Sequence, residues 1–172
     1  MTEERPCEFG VKVSLATTLH RSRGGQFIAH VKTLSGNPYD GHTLASVIPE
    51  IEAQIGASLA RIVADRGYRG HNAPPDHKFR VYISGQRLRV TETIKRELRR
   101  RSAVEPVIGH AKAEHRMGRN YLVGTHGDAA NAVLAAAGYN FRRLLEWLAL
   151  LLSIILADLN LAAGQHQRLK PT

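Results

Sequence analysis

The chain has 172 residues, 43% of them hydrophobic and 23% charged, with a formal net charge of +9. This length suits one domain with a real core, the apolar content argues against wholesale disorder, and the single cysteine, Cys7, excludes a disulfide framework and any cysteine-based zinc site. The charge excess is local: residues 61–120 hold 15 Lys and Arg against 6 Asp and Glu, and the rest of the chain holds 9 of each.

Concentration of this kind is the footprint of a phosphate-tracking surface, although a solvated basic face without a partner gives the same count. The opening "MTEERPCEFG" is polar and lacks the apolar core of a secretory leader, so a reducing, cytosolic setting is expected. Residues 8–19 alternate apolar and polar side chains and predict a strand. A Gly24-Gly25 turn and a second strand over 26–34 follow, which together make a hairpin. Residues 35–42 read as a loop. Helical spacing through Leu44, Val47, Ile51 and Ile55 predicts a helix over 43–55, with Pro49 placed early or kinking it.

Residues 60–68 predict a short strand that stops at Asp65 and Gly67, and 78–85 predict another. From Thr91 the period is helical, through Ile94 and Leu98 and then Val104, Ile108 and Ala111. A last helix is expected from an Asp128 cap to about Leu159. Its stretch "WLALLLSIILA" (147–157) has no charge but falls short of the ~20 residues a membrane span needs, so no membrane role is expected. The order of elements points to a mixed α/β domain whose sheet starts abruptly near residue 8.

Two acids stand out. Asp65 ends an apolar strand and precedes Gly67 and Gly70, where α/β domains present ligand-binding groups, with Arg66 and Arg69 beside it. An Asp that caps a turn fits the same residues. Glu105 closes "SAVE" (102–105), a capping-box pattern with Ser102 as N-cap. On a helical wheel at about 100° per residue, Arg101, Glu105, Lys112 and Arg116 fall within roughly 40° of one another. Gly109 lies on that stripe, Arg119 borders it, and Val104, Ile108, Ala111 and His115 form a separate apolar stripe. One acid among bases, with room opened by a glycine, is arranged like a site. Two carboxylates among cations suit metal-assisted phosphodiester chemistry, because Mg²⁺ prefers hard oxygen ligands and Arg and Lys position phosphates.

The stretches "GNPYDGHTL", "ADRGYRGHNAPPD", "RRRSAVEPVIGHAKAEHRMGRNYL" and "GDAANAVLAAAGYNF" occur in order and resemble the DDE transposases of bacterial insertion sequences. The closest look is to the branch grouped with the IS-Four and IS-Five elements. The resemblance implies a ribonuclease-H-like mixed sheet flanked by helices, and DNA transposition by strand cleavage and transfer. It also implies Mg²⁺ or Mn²⁺, with Asp65 and Glu105 as catalytic and metal-binding acids, and a two-metal site only if the family's first Asp is supplied. Arg66, Arg69, Arg101, Lys112, Arg116 and Arg119 are the expected phosphate contacts. Asp65 matches the family's second Asp, Glu105 its Glu, Arg101 the arginine four residues earlier and Lys112 the lysine seven residues later. The tyrosine expected three residues before that arginine is Leu98 here.

The family's first Asp lies on an opening strand that has no counterpart here, since Glu3 and Glu4 sit in a polar tail and Asp40 matches a different position. The expected organisation is therefore a polar tail (1–7), a truncated catalytic domain (8–160) lacking its first strand, and a C-terminal tail (161–172). Such a fragment is expected to be inactive or weakly active alone. Its expected partners are DNA and either a second copy or an upstream transposase polypeptide, in the bacterial cytoplasm. A non-catalytic DNA-binding regulator of a full-length transposase is the alternative, and needs only the basic block.

Overall fold

The alternating segment after Gly10 forms strand β1 (Lys12–Thr17), which pairs antiparallel with β2 (Ile28–Leu34). This computed structural model describes residues 10–20 and 25–168, with side chains to Asn160. The register sets Leu15 opposite Val31 and shifts at a bulge between Ala16 and Thr17. The expected hairpin is therefore present. Most of its Gly-Gly connection, the 1–7 tail and Cys7 lie outside the described residues.

Helix α1 (Leu44–Ile55) buries Leu44, Val47, Ile48 and Ile51 and ends at Gly56, whose φ of 67° closes the helix in the left-handed region. Pro49 lies inside the helix on its solvent side, and Ile55 is exposed. Strands β3 (Ile62–Ala64) and β4 (Val81–Ile83) pair in parallel, so their carboxyl ends share one edge. Leu44, Ile48 and Val81 form one core cluster beneath that pair.

Helix α2 (Glu92–Arg100) starts at Thr91, whose side chain accepts from the Ile94 amide at 3.4 Å. A 3₁₀ turn (Arg101–Ala103) leads directly into α3 (Val104–Ala113). The capping box is not formed. Ser102 lies inside the turn, where its hydroxyl donates to the Arg99 carbonyl at 3.1 Å, and Ala103 takes the position before α3. With no interruption between α2 and α3, there is no free helix start for Ser102 to cap.

Helix α4 (Gly124–Arg168) begins a turn earlier than Asp128, whose carboxylate accepts from the Asn120 side chain at 2.6 Å. The backbone also continues as helix into the expected tail, to Arg168. Ala136 and Tyr139 of α4 pack with Ile28 of β2 and with Val107 and Ala111 of α3 to form a second core cluster. Asn140 grips β2 like a neighbouring strand: Ile28 N–H donates to its Oδ1 at 2.9 Å, and its Nδ2 donates to Ile28 C=O at 2.8 Å. Beyond Leu144 the helix exposes nearly all its leucines and isoleucines. No helix among the described residues is long and apolar enough to cross a membrane.

The α/β character is as expected, but one mixed sheet is not seen. Among the described residues the strands form two separate two-stranded sheets, β1–β2 and β3–β4.

His30 is buried on β2, 3.4 Å from Glu50 Oε2. Burial pulls its pKa below the ordinary 6.5, and the opposing attraction of Glu50 does not cancel this. The unfolded chain therefore takes up a proton near pH 6.5 that the folded chain resists. Stability from this group is complete above that pH, falls as the pH drops through it, and levels off below the depressed folded value. His71, also lowered chiefly by burial, acts in the same sense. Denaturant midpoints measured at about pH 7.5 and about pH 5.5 should differ less in His30→Gln than in the wild type.

Candidate active site

The strand β3 delivers Asp65 to the carboxyl edge of the parallel pair. The turn reading of Asp65 holds locally: its Oδ1 accepts from the Gly67 amide at 2.9 Å and starts a 3₁₀ turn (Arg66–Tyr68). Its Oδ2 lies 3.7 Å from Nη1 of Arg101. The other arm of the same guanidinium, Nη2, donates to Glu105 Oε1 at 3.3 Å. One arginine therefore spans the two acids, which come from segments forty residues apart in the chain. Arg101 is turned inward onto carboxylates, a placement the wheel alone does not give.

A third carboxylate, Asp40, approaches Asp65 across Gly67. A Cβ on Gly67 would lie 2.6 Å from Asp40 Oδ2 and 3.1 Å from Asp65 Oδ1, so a side chain there would push the Asp40 carboxylate aside. Asp40 is already paired with Lys12 of β1 at 2.6 Å. Sequence reasoning placed Asp40 in a loop and missed this approach, which needs the loop of 35–42 folded over the turn after β3. Tyr68 lies beside the same acids. Burial pushes its hydroxyl pKa above 10, and the negative charge of Asp40 adds to that.

The basic residues divide by position. Arg66 lies at the acid edge, its guanidinium against the turn at Gly85 after β4, and the side chain of Arg69 is exposed on the next turn. Gly109 faces open space, as the wheel requires. The stripe does not continue to Arg116 as helix, because α3 ends at Ala113 and Arg116 adopts a φ of 60°. That turn nonetheless returns Arg116 and Arg119 to Lys112, and the three line a cleft of about 390 Å³ with Ala113 and Tyr121. The apolar stripe is also displaced: Val107, absent from the predicted set, is buried with Ala111, whereas Val104 and Ile108 are half-buried.

Asp65 and Glu105 offer the hard oxygen donors a divalent cation takes. Their convergence on a single guanidinium places one positive charge between them. Among the described residues, no group of three or more His, Cys, Asp and Glu side chains is set to hold a metal ion.

No curated protein and no solved structure matches the chain. Residues 66–145 match the family model described as the transposase DDE domain. The matched stretch contains Glu105 and all six basic residues considered above, begins immediately after Asp65, and supports a DDE transposase.

Proposed function

We propose that this protein is a transposase of the DDE type, related to the branch grouped with the IS-Four and IS-Five elements, that cuts and joins DNA strands with a divalent metal. The observation that carries the reading is the convergence of Asp65 and Glu105 on Arg101, within a basic surface and at the start of the matched segment. Asp65 and Glu105 would hold Mg²⁺ or Mn²⁺, which when bound supplies Lewis-acid activation of water or a 3′-hydroxyl and charge stabilisation at the phosphate. Arg66, Arg69, Lys112, Arg116 and Arg119 hold the DNA backbone near those acids, and Arg101 keeps the two carboxylates together between metal-binding events.

In this reading the two strand pairs become parts of one ribonuclease-H-like sheet only when a connecting strand is supplied by a second, upstream polypeptide. That polypeptide also brings the remaining acid, because Asp40 is committed to Lys12. The chain alone then cleaves weakly or not at all. Its setting is the cytoplasm, on DNA.

The test is cleavage of labelled element-end DNA in Mg²⁺ or Mn²⁺, with and without the upstream polypeptide. Metal-dependent nicking that rises sharply when the polypeptide is added is the expected result. DNA binding that falls steeply with salt, with no cleavage under either condition and no response to metal, would favour the non-catalytic regulator.

A further inference from the structure

The connection between α3 and α4 carries more than phosphate contacts require. Its cleft is lined by Lys112, Arg116 and Arg119, none of which has an ion-pair partner among the described residues. The fourth polar lining group is Tyr121, 77% exposed, and it opens a run of three exposed apolar residues with Leu122 and Val123. Three successive apolar side chains in solvent are costly unless something covers them.

This loop is held at both ends. Leu122 N–H donates to Asn120 Oδ1 at 2.9 Å, and Asn120 is itself fixed to Asp128 of α4. A Cβ on Gly127 would collide with Leu122 at 2.8 Å, so the loop rests directly on the first turn of α4. On the other side, Arg119 N–H donates to the Arg116 carbonyl at 3.0 Å and Met117 N–H to the Ala111 carbonyl at 3.0 Å. The flat ring of Tyr121 is therefore presented on a fixed frame beside unpaired cations.

A duplex backbone offers phosphates to such a cleft but no free base to the ring. An unpaired nucleotide offers both, since every base has a face that stacks on an aromatic side chain while cations follow its phosphate. The cleft also includes Lys112, seven residues and about 10 Å along α3 from Glu105, so a strand held there lies within reach of the acids.

We propose that this connection binds an unpaired nucleotide of DNA, with its phosphate between Arg116 and Arg119, Lys112 alongside, and its base stacked on Tyr121. The proposal rests on the DNA reading of the basic surface. It assigns that surface a preference for single-stranded or frayed DNA over blunt duplex.

The experiment is fluorescence anisotropy of the full chain with a labelled single-stranded oligonucleotide and with the blunt duplex of the same sequence, in EDTA so that no cleavage intervenes. Tyr121→Ala should weaken single-strand binding about tenfold and leave duplex binding unchanged, whereas Tyr121→Phe should retain both. Arg119→Gln should weaken both and reduce the salt slope by about one. Because Tyr121 is exposed, the melting temperature of Tyr121→Ala should match the wild type. Equal single-strand affinity for wild type and Tyr121→Ala, or an equal loss on both DNAs, overturns the proposal. A Tyr121 effect that persists while Mg²⁺ yields no cleavage even with the upstream polypeptide added sinks the catalytic reading and leaves this site standing. Cleavage without a Tyr121 effect does the reverse, and failure to bind either DNA sinks both.

Discussion

Glu105→Gln should reduce metal-dependent strand cleavage about a thousandfold in the reaction supplied with the upstream polypeptide, while DNA binding without metal changes by less than about twofold. The amide keeps the shape of the side chain but removes a charge on which a divalent ion depends, and several kcal/mol of transition-state stabilisation correspond to that factor. Glu105 is exposed and its partner in the structure is Arg101, so the substitution should leave the fold intact. A second readout separates a metal ligand from a helix-stabilising side chain: the rise in melting temperature on adding Mn²⁺ should disappear in Glu105→Gln and in Asp65→Asn. If Glu105→Gln cleaves as the wild type does, the glutamate belongs only to the Arg101 pair and the catalytic assignment is wrong.

The largest effect on stability should come from Arg61→Ala. Glu97 of α2 is only 2% exposed, and its carboxylate faces Arg61 just before β3. Nη2 of Arg61 donates to Oε1 at 2.9 Å, and Nε lies 2.8 Å from Oε2 without the alignment of a hydrogen bond. Removing the arginine leaves a buried carboxylate whose only other basic neighbour among the described residues is the His20 imidazole, at 3.7 Å. Stranding a buried charge in this way costs about 3 kcal/mol, a large part of the stability of a small domain. Glu97→Leu, which removes the buried charge itself and leaves a half-exposed arginine able to reach water, should cost less. Urea midpoints of the two variants give the order directly, and a milder Arg61→Ala would show that water reaches Glu97.

Local patterns in the sequence were enough to find the elements. Alternation located β1 and β2, helical spacing located α1, and the residues that punctuate the chain marked both short strands. What could not be read were contacts made by tertiary closure. "SAVE" has the letters of a capping box, but such a box forms only at a free helix start, and α2 runs through a 3₁₀ turn into α3 without leaving one. Asp128 looked like a cap for the same local reason and is instead taken by Asn120. The wheel assumed that α3 continued past residue 113, so it grouped Arg116 with Lys112 by a route the backbone does not follow. The turn with Arg116 at positive φ brings the two together by another path.

At the site, Asp65, Glu105 and the six cations were all legible as residues, because carboxylates among arginines are conspicuous in composition. Two features depended on geometry alone. The sequence presents Arg101 as a phosphate contact, and only the fold shows it turned onto both acids. Asp40 is a loop residue in the sequence, and only the folding of that loop over Gly67 shows how near Asp65 it comes.

The grip of Asn140 on Ile28 also decides where the hairpin can recruit another chain. An exposed strand edge is a template for unwanted pairing, and proteins guard it by covering or blocking its free amides and carbonyls. On β2 the Asn140 carboxamide already occupies both backbone groups of Ile28, with α4 packed behind it. Among the described residues β1 has no such guard and no second strand beside it. A further strand is thus barred from pairing at the bulge end of β2, where a side chain from a distant helix does the work of a neighbouring strand.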